Sequence, residues 1–130
     1  MSDVNDSLRR SIFSEALEKR LYEDAEQMIL RRSDACLNLS LDVSRLHSDT
    51  KKKLLETCLN LVESNTWEPN TFNYACDPEG LHEMATIKID DAPKCFMKID
   101  YIQSYEEERY PDDISKECVR VITLATSDEY

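Results

Sequence analysis

The chain has 130 residues, 41% of them hydrophobic, and a formal net charge of −11. That length fits one domain (residues 1–130) with one modest core, and a single glycine with four prolines leaves no low-complexity linker. The negative balance argues against direct binding of nucleic-acid phosphates or anionic lipid, because like charges repel at both surfaces.

The charge is unevenly placed. Residues 1–62 carry a net −1 and residues 63–130 a net −10. An acidic half attracts basic surfaces, so a basic protein, including one that itself binds nucleic acid, is the partner class that charge permits. Solubility alone is the competing explanation. No apolar run approaches the ~20 residues of a membrane span. The start, Ser2-Asp3-Val4-Asn5-Asp6, is too polar for a secretory signal. A cytoplasmic protein with no membrane partner is expected. The cysteines at 36, 58, 76, 95 and 118 include no Cys-x-x-Cys, so reduced thiols and no local metal site are expected.

In chain order, Ser2 or Asp3 is placed to cap a first helix. Val4, Leu8, Ile12, Phe13, Ala16, Leu17, Leu21, Ala25 and Met28 follow at helical spacing. This predicts a helical region within 1–34, running to about Arg31, with the α+β body in 35–130. The stripe Leu17, Leu21, Ala25 and Met28 offers a face for a homodimer. Leu37, Leu39, Leu41 and Val43 alternate with polar residues, which predicts a half-buried strand. Ser48 or Asp49 then caps a second helix with Leu54, Leu55, Cys58, Leu61 and Val62 as its apolar stripe. Lys51-Lys52-Lys53 lies in its first turn, where cations oppose the helix dipole; a solvated face is the simpler reading. His47, beside the cap, reads as structural.

Residues 63–80 carry turn residues together with Trp67, Phe72 and Tyr74, and read as a long loop that tucks its aromatics onto the core. Two strands then form a hairpin across Asp91-Ala92-Pro93. Its expected pairs are Ile89 with Cys95, Ile87 with Met97 and Ala85 with Ile99, with Asp90 facing Lys94 and Thr86 facing Lys98. An acidic segment follows, and a last strand spans about Glu117–Ala125. The order α-β-α-β-β-β predicts an α+β fold, with helices on one face of a largely antiparallel four-stranded sheet.

With these elements placed, Asn5-Asp6-Ser7-Leu8-Arg9-Arg10 resembles the Asn-Asp-x-Leu-Arg-Arg opening of a family of small bacterial and mobile-element proteins classed as a domain of unknown function. Asp77-Pro78-Glu79-Gly80-Leu81-His82-Glu83, Lys98-Ile99-Asp100-Tyr101, Arg120 to Ala125 and Glu129-Tyr130 are similar to its second half. The chain departs from the pattern. It lacks a glycine pair before the first strand, has Ala92-Pro93 for a turn glycine, and has Met97 for an aromatic. A divergent member is the description that fits. The resemblance implies a shared fold and a mobile-element setting, and brings no catalytic residues.

For chemistry, His82 with Glu83 and Asp77 is the one candidate acid/base or metal group; a histidine tying the 63–80 loop to the sheet is the plainer alternative. Lys98 and Asp100, two apart on a strand, read as a charge network. One glycine rules out a Gly-rich phosphate loop, and no cofactor is expected. The acidic cluster Glu106, Glu107, Glu108, Asp112, Asp113 and Glu117, flanked by Tyr105 and Tyr110, is the candidate partner-binding surface. The expected function is therefore a non-enzymatic acidic interaction protein. Its concrete form is a phage or mobile-element inhibitor that mimics nucleic acid and binds a basic host defence protein, such as a nuclease complex. The alternatives are a small regulatory or structural domain whose charge has no specific partner, and a small hydrolase using His82.

Overall fold

The computed structural model describes residues 2–114 and 117–129. The elements are α1 (Ser2–Glu18), β1 (Ile29–Arg31), β2 (Ala35–Leu39), α2 (Leu41–Ser44), α3 (Ser48–Leu59), β3 (Val62–Glu63), β4 (Thr71–Phe72), β5 (Met84–Ile87), β6 (Cys95–Ile102) and β7 (Val119–Thr126). The class is α+β. The main sheet has five strands in the order β1-β2-β7-β6-β5, and β3 pairs with β4 in a separate small sheet. The expected four-stranded, largely antiparallel sheet is corrected here. β2 and β7 run parallel, with Leu37 opposite Ile122 and Leu39 opposite Leu124, and β1 adds an antiparallel edge.

Period-2 alternation builds the inner face of this sheet. Ala35, Leu37 and Leu39 of β2, Ile122 and Leu124 of β7, Cys95, Met97 and Ile99 of β6, and Ala85 and Ile87 of β5 are all buried. They form one core with Ile12, Phe13 and Ala16 of α1 and Leu54, Leu55 and Cys58 of α3. Both long helices thus cover one face. Among the described residues no helix is long and apolar enough to cross a membrane.

The first helix is shorter than its apolar spacing predicts. Arg20 takes the left-handed conformation at φ 54°, its N–H closing on Leu17 O. The Asp24 carboxylate then accepts from Glu26 N at 2.9 Å, a local turn that competes with helix. Ile29–Arg31 becomes an edge strand instead. The proposed dimer stripe is consequently not a helix face: Leu21 is in the core, Leu17 packs against it, and Ala25 is exposed beyond the helix end. Within α1 the buried side is also rotated. Asn5 and Arg9 are fully buried, while Val4 is exposed.

The strand expected over 37–43 stops at Leu39, because Ser40 turns the chain. Its hydroxyl accepts from Val43 N and caps α2, so Leu41 is left exposed. The cap of α3 is His47, whose Nδ1 accepts from Asp49 N, rather than Ser48 or Asp49. Lys51 is not on a solvated face: it is buried, and its ammonium donates to Ser44 O at the end of α2, where a cation is favourable.

The hairpin register is shifted by two residues. Ile87 pairs with Cys95, Ala85 with Met97 and Met84 with Lys98. A shift of two preserves which side chains face the core, so the apolar pattern does not distinguish the two registers. Asn70 decides it. Its side chain accepts from Lys88 N at 2.8 Å and donates to Lys88 O at 2.9 Å, taking the backbone groups that would have extended β5. The turn therefore runs over residues 88–94, with Asp91 at φ 63°. Asn70 itself sits at φ 65°, where asparagine is tolerated better than most residues. Asn70→Ala is expected to cost about 1–3 kcal/mol through two lost hydrogen bonds and an unfavourable φ, read as a lower urea midpoint; an unchanged midpoint would remove this account of the register.

Candidate functional site

The polar residues that this sheet and α1 bring together form a connected buried group, centred between the start of α1, the 77–83 loop and the ends of β6 and β7. On α1, Asn5 and Arg9 are four residues apart and share a face. They continue the line of Ile12 and Ala16 but carry polar groups into the core, so every one of their hydrogen-bonding atoms needs a partner. Arg120 Nε donates to Asn5 Oδ1 at 2.6 Å. Asn5 Nδ2 donates to Leu81 O at 2.9 Å and to the Tyr101 hydroxyl at 2.8 Å. That hydroxyl in turn donates to Glu83 Oε2 at 2.8 Å. Burial, together with the Glu83 carboxylate, holds the Tyr101 phenol protonated well above its usual range. Arg120 also donates to Ile114 O at 3.1 Å.

Arg9 serves a second branch. Its Nε donates to Cys58 O at 3.0 Å and its NH2 to Leu61 O at 3.2 Å. α3 has no basic residue in its own last turn, so Arg9 supplies the cation that suits a helix C-terminus. The same guanidinium pairs with Asp6 and lies over the Phe72 ring.

His82 is held on all sides. It sits at φ 57° in a loop organised by Asp77, whose carboxylate accepts from His82 N at 3.1 Å and Glu83 N at 3.3 Å. The imidazole stacks on Phe72, with centroids 4.6 Å apart and planes within 2°. Its Nδ1 is 2.9 Å from Asp6 Oδ1, and its Nε2 is 3.9 Å from Glu63 Oε2. Burial pushes the Asp6 carboxyl up, but the hydrogen bonds from His82 and Arg9 outweigh it and hold the acid below the ordinary range. Asp6 is thus an acceptor near neutral pH, and His82 Nδ1–H donates to it.

A histidine whose Nδ1 is engaged by a carboxylate has the orientation that general-base sites use. Here Nε2 faces the Glu63 carboxylate at 3.9 Å. Among the described residues no group of three or more His, Cys, Asp or Glu is arranged to hold a metal ion. The three residues singled out in the sequence do not converge. His82 turns to Asp6, Glu83 turns to Tyr101, and Asp77 is spent on backbone. What they join is a tie between α1, the 77–83 loop and the sheet. Asp6, Arg9, Tyr101 and Arg120 complete that tie and were visible beforehand only as letters in the resembling segments. The i, i+4 placement of Asn5 and Arg9 in line with Ile12 was the signal available for them.

The acidic candidates lie elsewhere. β6 leads into a loop closed by Gln103 N donating to Arg109 O at 2.9 Å and Ser104 N to Glu107 O at 3.1 Å. Glu106, Glu107, Glu108, Asp112, Asp113 and Glu117 are all exposed. Arg109 sits among them, 3.7 Å from Glu107 and 3.2 Å from Asp112. Tyr105 points inward: its hydroxyl donates to Arg32 O at 2.6 Å, and Arg31 stacks on its ring at 3.8 Å. It fastens the loop to β1 and β2. Tyr110 is exposed, edge-on to Tyr101. Lys98 and Asp100 project from the sheet face that the helices leave open, 3.4 Å apart. The five cysteines are free, and burial raises the Cys95 thiol to about 11, far from a reactive thiolate.

Asp6 as above, Asp34 by Arg32, and Glu129, whose burial is outweighed by Ser40, Thr126 and the Asp42 backbone, are held below their ordinary values. A native value below the unfolded one means the ionised form adds stability above the unfolded value and loses it as pH falls through the native one. Urea stability is expected to decline as pH drops below the ordinary aspartate value of 3.8, with a shallower decline in Asp6→Asn. Equal slopes in the two proteins would remove Asp6 from the acid response. Compared with protein-family models, curated proteins and solved structures, the chain matches none.

Proposed function

We propose that the protein is a non-enzymatic acidic interaction protein that binds a basic surface through the loop after β6. The observation that carries the reading is the exposure of Glu106, Glu107 and Glu108 on a loop pinned by Tyr105 and closed by its own backbone hydrogen bonds, with Asp112 and Asp113 exposed just beyond it. Carboxylates on a fastened loop present spaced negative charge at low ordering cost, which a basic nucleic-acid channel attracts. The concrete partner is a basic nucleic-acid-binding protein of a host defence system, with the loop standing in for phosphates. The hydrolase reading has less behind it, since His82, Glu83 and Asp77 engage three separate partners.

The test is capture from bacterial lysate at about 50 and 500 mM salt, a range over which phosphate-like contacts weaken steeply. Beside the parent run two charge-matched variants, Glu106/Glu107/Glu108→Lys and Glu18/Glu23/Glu26→Lys. Expected is a basic nucleic-acid-binding protein that is retained by the second variant, lost by the first, released by high salt, and displaced by a DNA duplex. Equal loss in both variants would mean that only bulk charge matters, and the regulatory or structural reading would take its place.

A further inference from the structure

The 62–74 segment carries three of the chain's exposed large hydrophobics. Val62 is 58% exposed, Trp67 69% and Tyr74 62%. Phe72 from the same stretch is in the core, so the segment is anchored and these side chains are left outside it. Trp67 and Tyr74 touch each other edge to face, centroids 5.4 Å apart at 75°. Their support is rigid. Asn73 is buried and donates to Glu68 O at 2.9 Å, Thr71 donates to Glu68 O at 2.7 Å, and Asn73 Oδ1 accepts from Ala75 N at 3.1 Å. A cleft of about 220 Å³ adjoins Tyr74, with Glu63, Ser64 and Asn65 on its wall.

The segment that carries this pair is acidic along the chain. Residues 54–87 contain six Asp or Glu and no Lys or Arg. The guanidinium of Arg9, over the neighbouring Phe72, is buried and paired with Asp6. Aromatic faces attract cations through their quadrupole, and arginine stacks on them best. Surrounding carboxylates add to that attraction, and a rigid Trp–Tyr pair orders little on binding. A neutral apolar partner would gain nothing from the acids, and an acidic one would be repelled.

We propose that Trp67 and Tyr74, with Glu63 at the adjoining cleft, form a docking surface for an arginine-bearing segment of a partner protein. The proposal rests on the reading of a basic partner but places its specific contact away from the 106–113 carboxylates. Cys76 and Tyr110 line one small cleft, which places Tyr110 beside the chain just after Tyr74.

Trp67 is the only tryptophan in the chain, so its emission reports on this surface alone. The experiment is titration of the full chain with octa-arginine at about 150 mM salt, where long-range attraction is largely screened. Trp67 emission is followed for the parent, Tyr74→Leu and Glu106/Glu107/Glu108→Lys, and calorimetry for these and Trp67→Leu. Trp67→Leu and Tyr74→Leu keep the net charge, and both residues are exposed, so circular dichroism is expected to be unchanged. Expected is a saturable change in Trp67 emission in the parent and the loop variant, and an affinity about tenfold lower in both Trp67→Leu and Tyr74→Leu, the size of one well-formed cation–π contact. Peptide that binds without moving the emission, or binds Trp67→Leu as tightly as the parent, overturns the proposal. So does tetramethylammonium giving the same response at the same concentration, which marks a small-molecule cation site. A change of emission with protein concentration alone marks a second copy as the occupant and overturns it too. Loss of binding confined to the loop variant leaves the acidic-loop reading standing and overturns this one.

Discussion

Arg9→Ala is expected to lower the unfolding free energy by about 3–5 kcal/mol, the cost of breaking a buried charge pair from one side. Arg9 is fully buried. Its guanidinium serves Asp6, Cys58 O and Leu61 O, so its removal leaves one carboxylate short of a partner and two carbonyls unmet at the end of α3. His82 loses support as well, because the Asp6 that orients it is no longer held. Arg9→Met retains most of the stem's packing while removing the charge and the N–H donors. It is expected to lose about 1 kcal/mol less than Arg9→Ala. Urea unfolding at neutral pH measures both, with the slope checked for a change in the surface exposed. A midpoint for Arg9→Ala equal to the parent's would mean that α1 does not hold the loop and sheet together in solution.

Phe72→Ala is expected to cost a similar amount, about 3–5 kcal/mol for an aromatic removed from a core. Phe72 is 1% exposed, although it belongs to a strand of only two residues in the least regular stretch of the chain. It lies under Arg9 on one side and is stacked with His82 on another. Its loss therefore opens a cavity at the junction of α1, α3 and the 77–83 loop, not at the sheet centre. Phe72→Leu refills part of that volume and is expected to recover about half the loss. The imidazole proton resonances of His82 provide a second reading, shifting when the stacked ring is removed. A small loss in Phe72→Ala with unmoved His82 resonances would contradict this packing.

Both expectations concern residues whose importance lies in how they meet. The acidic loop is different. Its charge is already plain in the residues, and its exposure needs only the absence of apolar side chains. Tyr105 illustrates what lies beyond composition. Beside six carboxylates it reads as an interface anchor, yet its hydroxyl reaches the backbone of Arg32 and Ala35. Trp67 and Tyr74 illustrate the converse. Aromatics in a loop are expected to pack inward, and only Phe72 of the three does so.

The inner faces of β2, β6 and β7 were legible from residues 37–39, 95–101 and 119–125, because alternation with period 2 is a local property and a buried sheet face enforces it. The α3 stripe was legible for the same reason at period 3.6 through Leu54, Leu55 and Cys58, whereas Leu61 and Val62 lie beyond the helix end and Val62 is exposed. Segments that satisfy two periods were not. Residues 20–31 carry helical spacing, but a turn at Arg20 and the pairing of Ile29–Arg31 with β2 win over it, since strand pairing is a tertiary gain that local propensity does not register. The hairpin register was undecidable from its own residues, because a shift of two keeps every face and the deciding Asn70 comes from another part of the chain. The parallel pairing of β2 with β7 joins segments more than eighty residues apart, and no local pattern encodes it. By itself the sequence determined the class of fold, the inward faces and the acidic balance, all of which follow from residue type and spacing. The tertiary structure alone decided the strand order, the register, and the buried connection of Asn5, Asp6, Arg9, His82, Tyr101 and Arg120, because each depends on polar groups finding partners far along the chain.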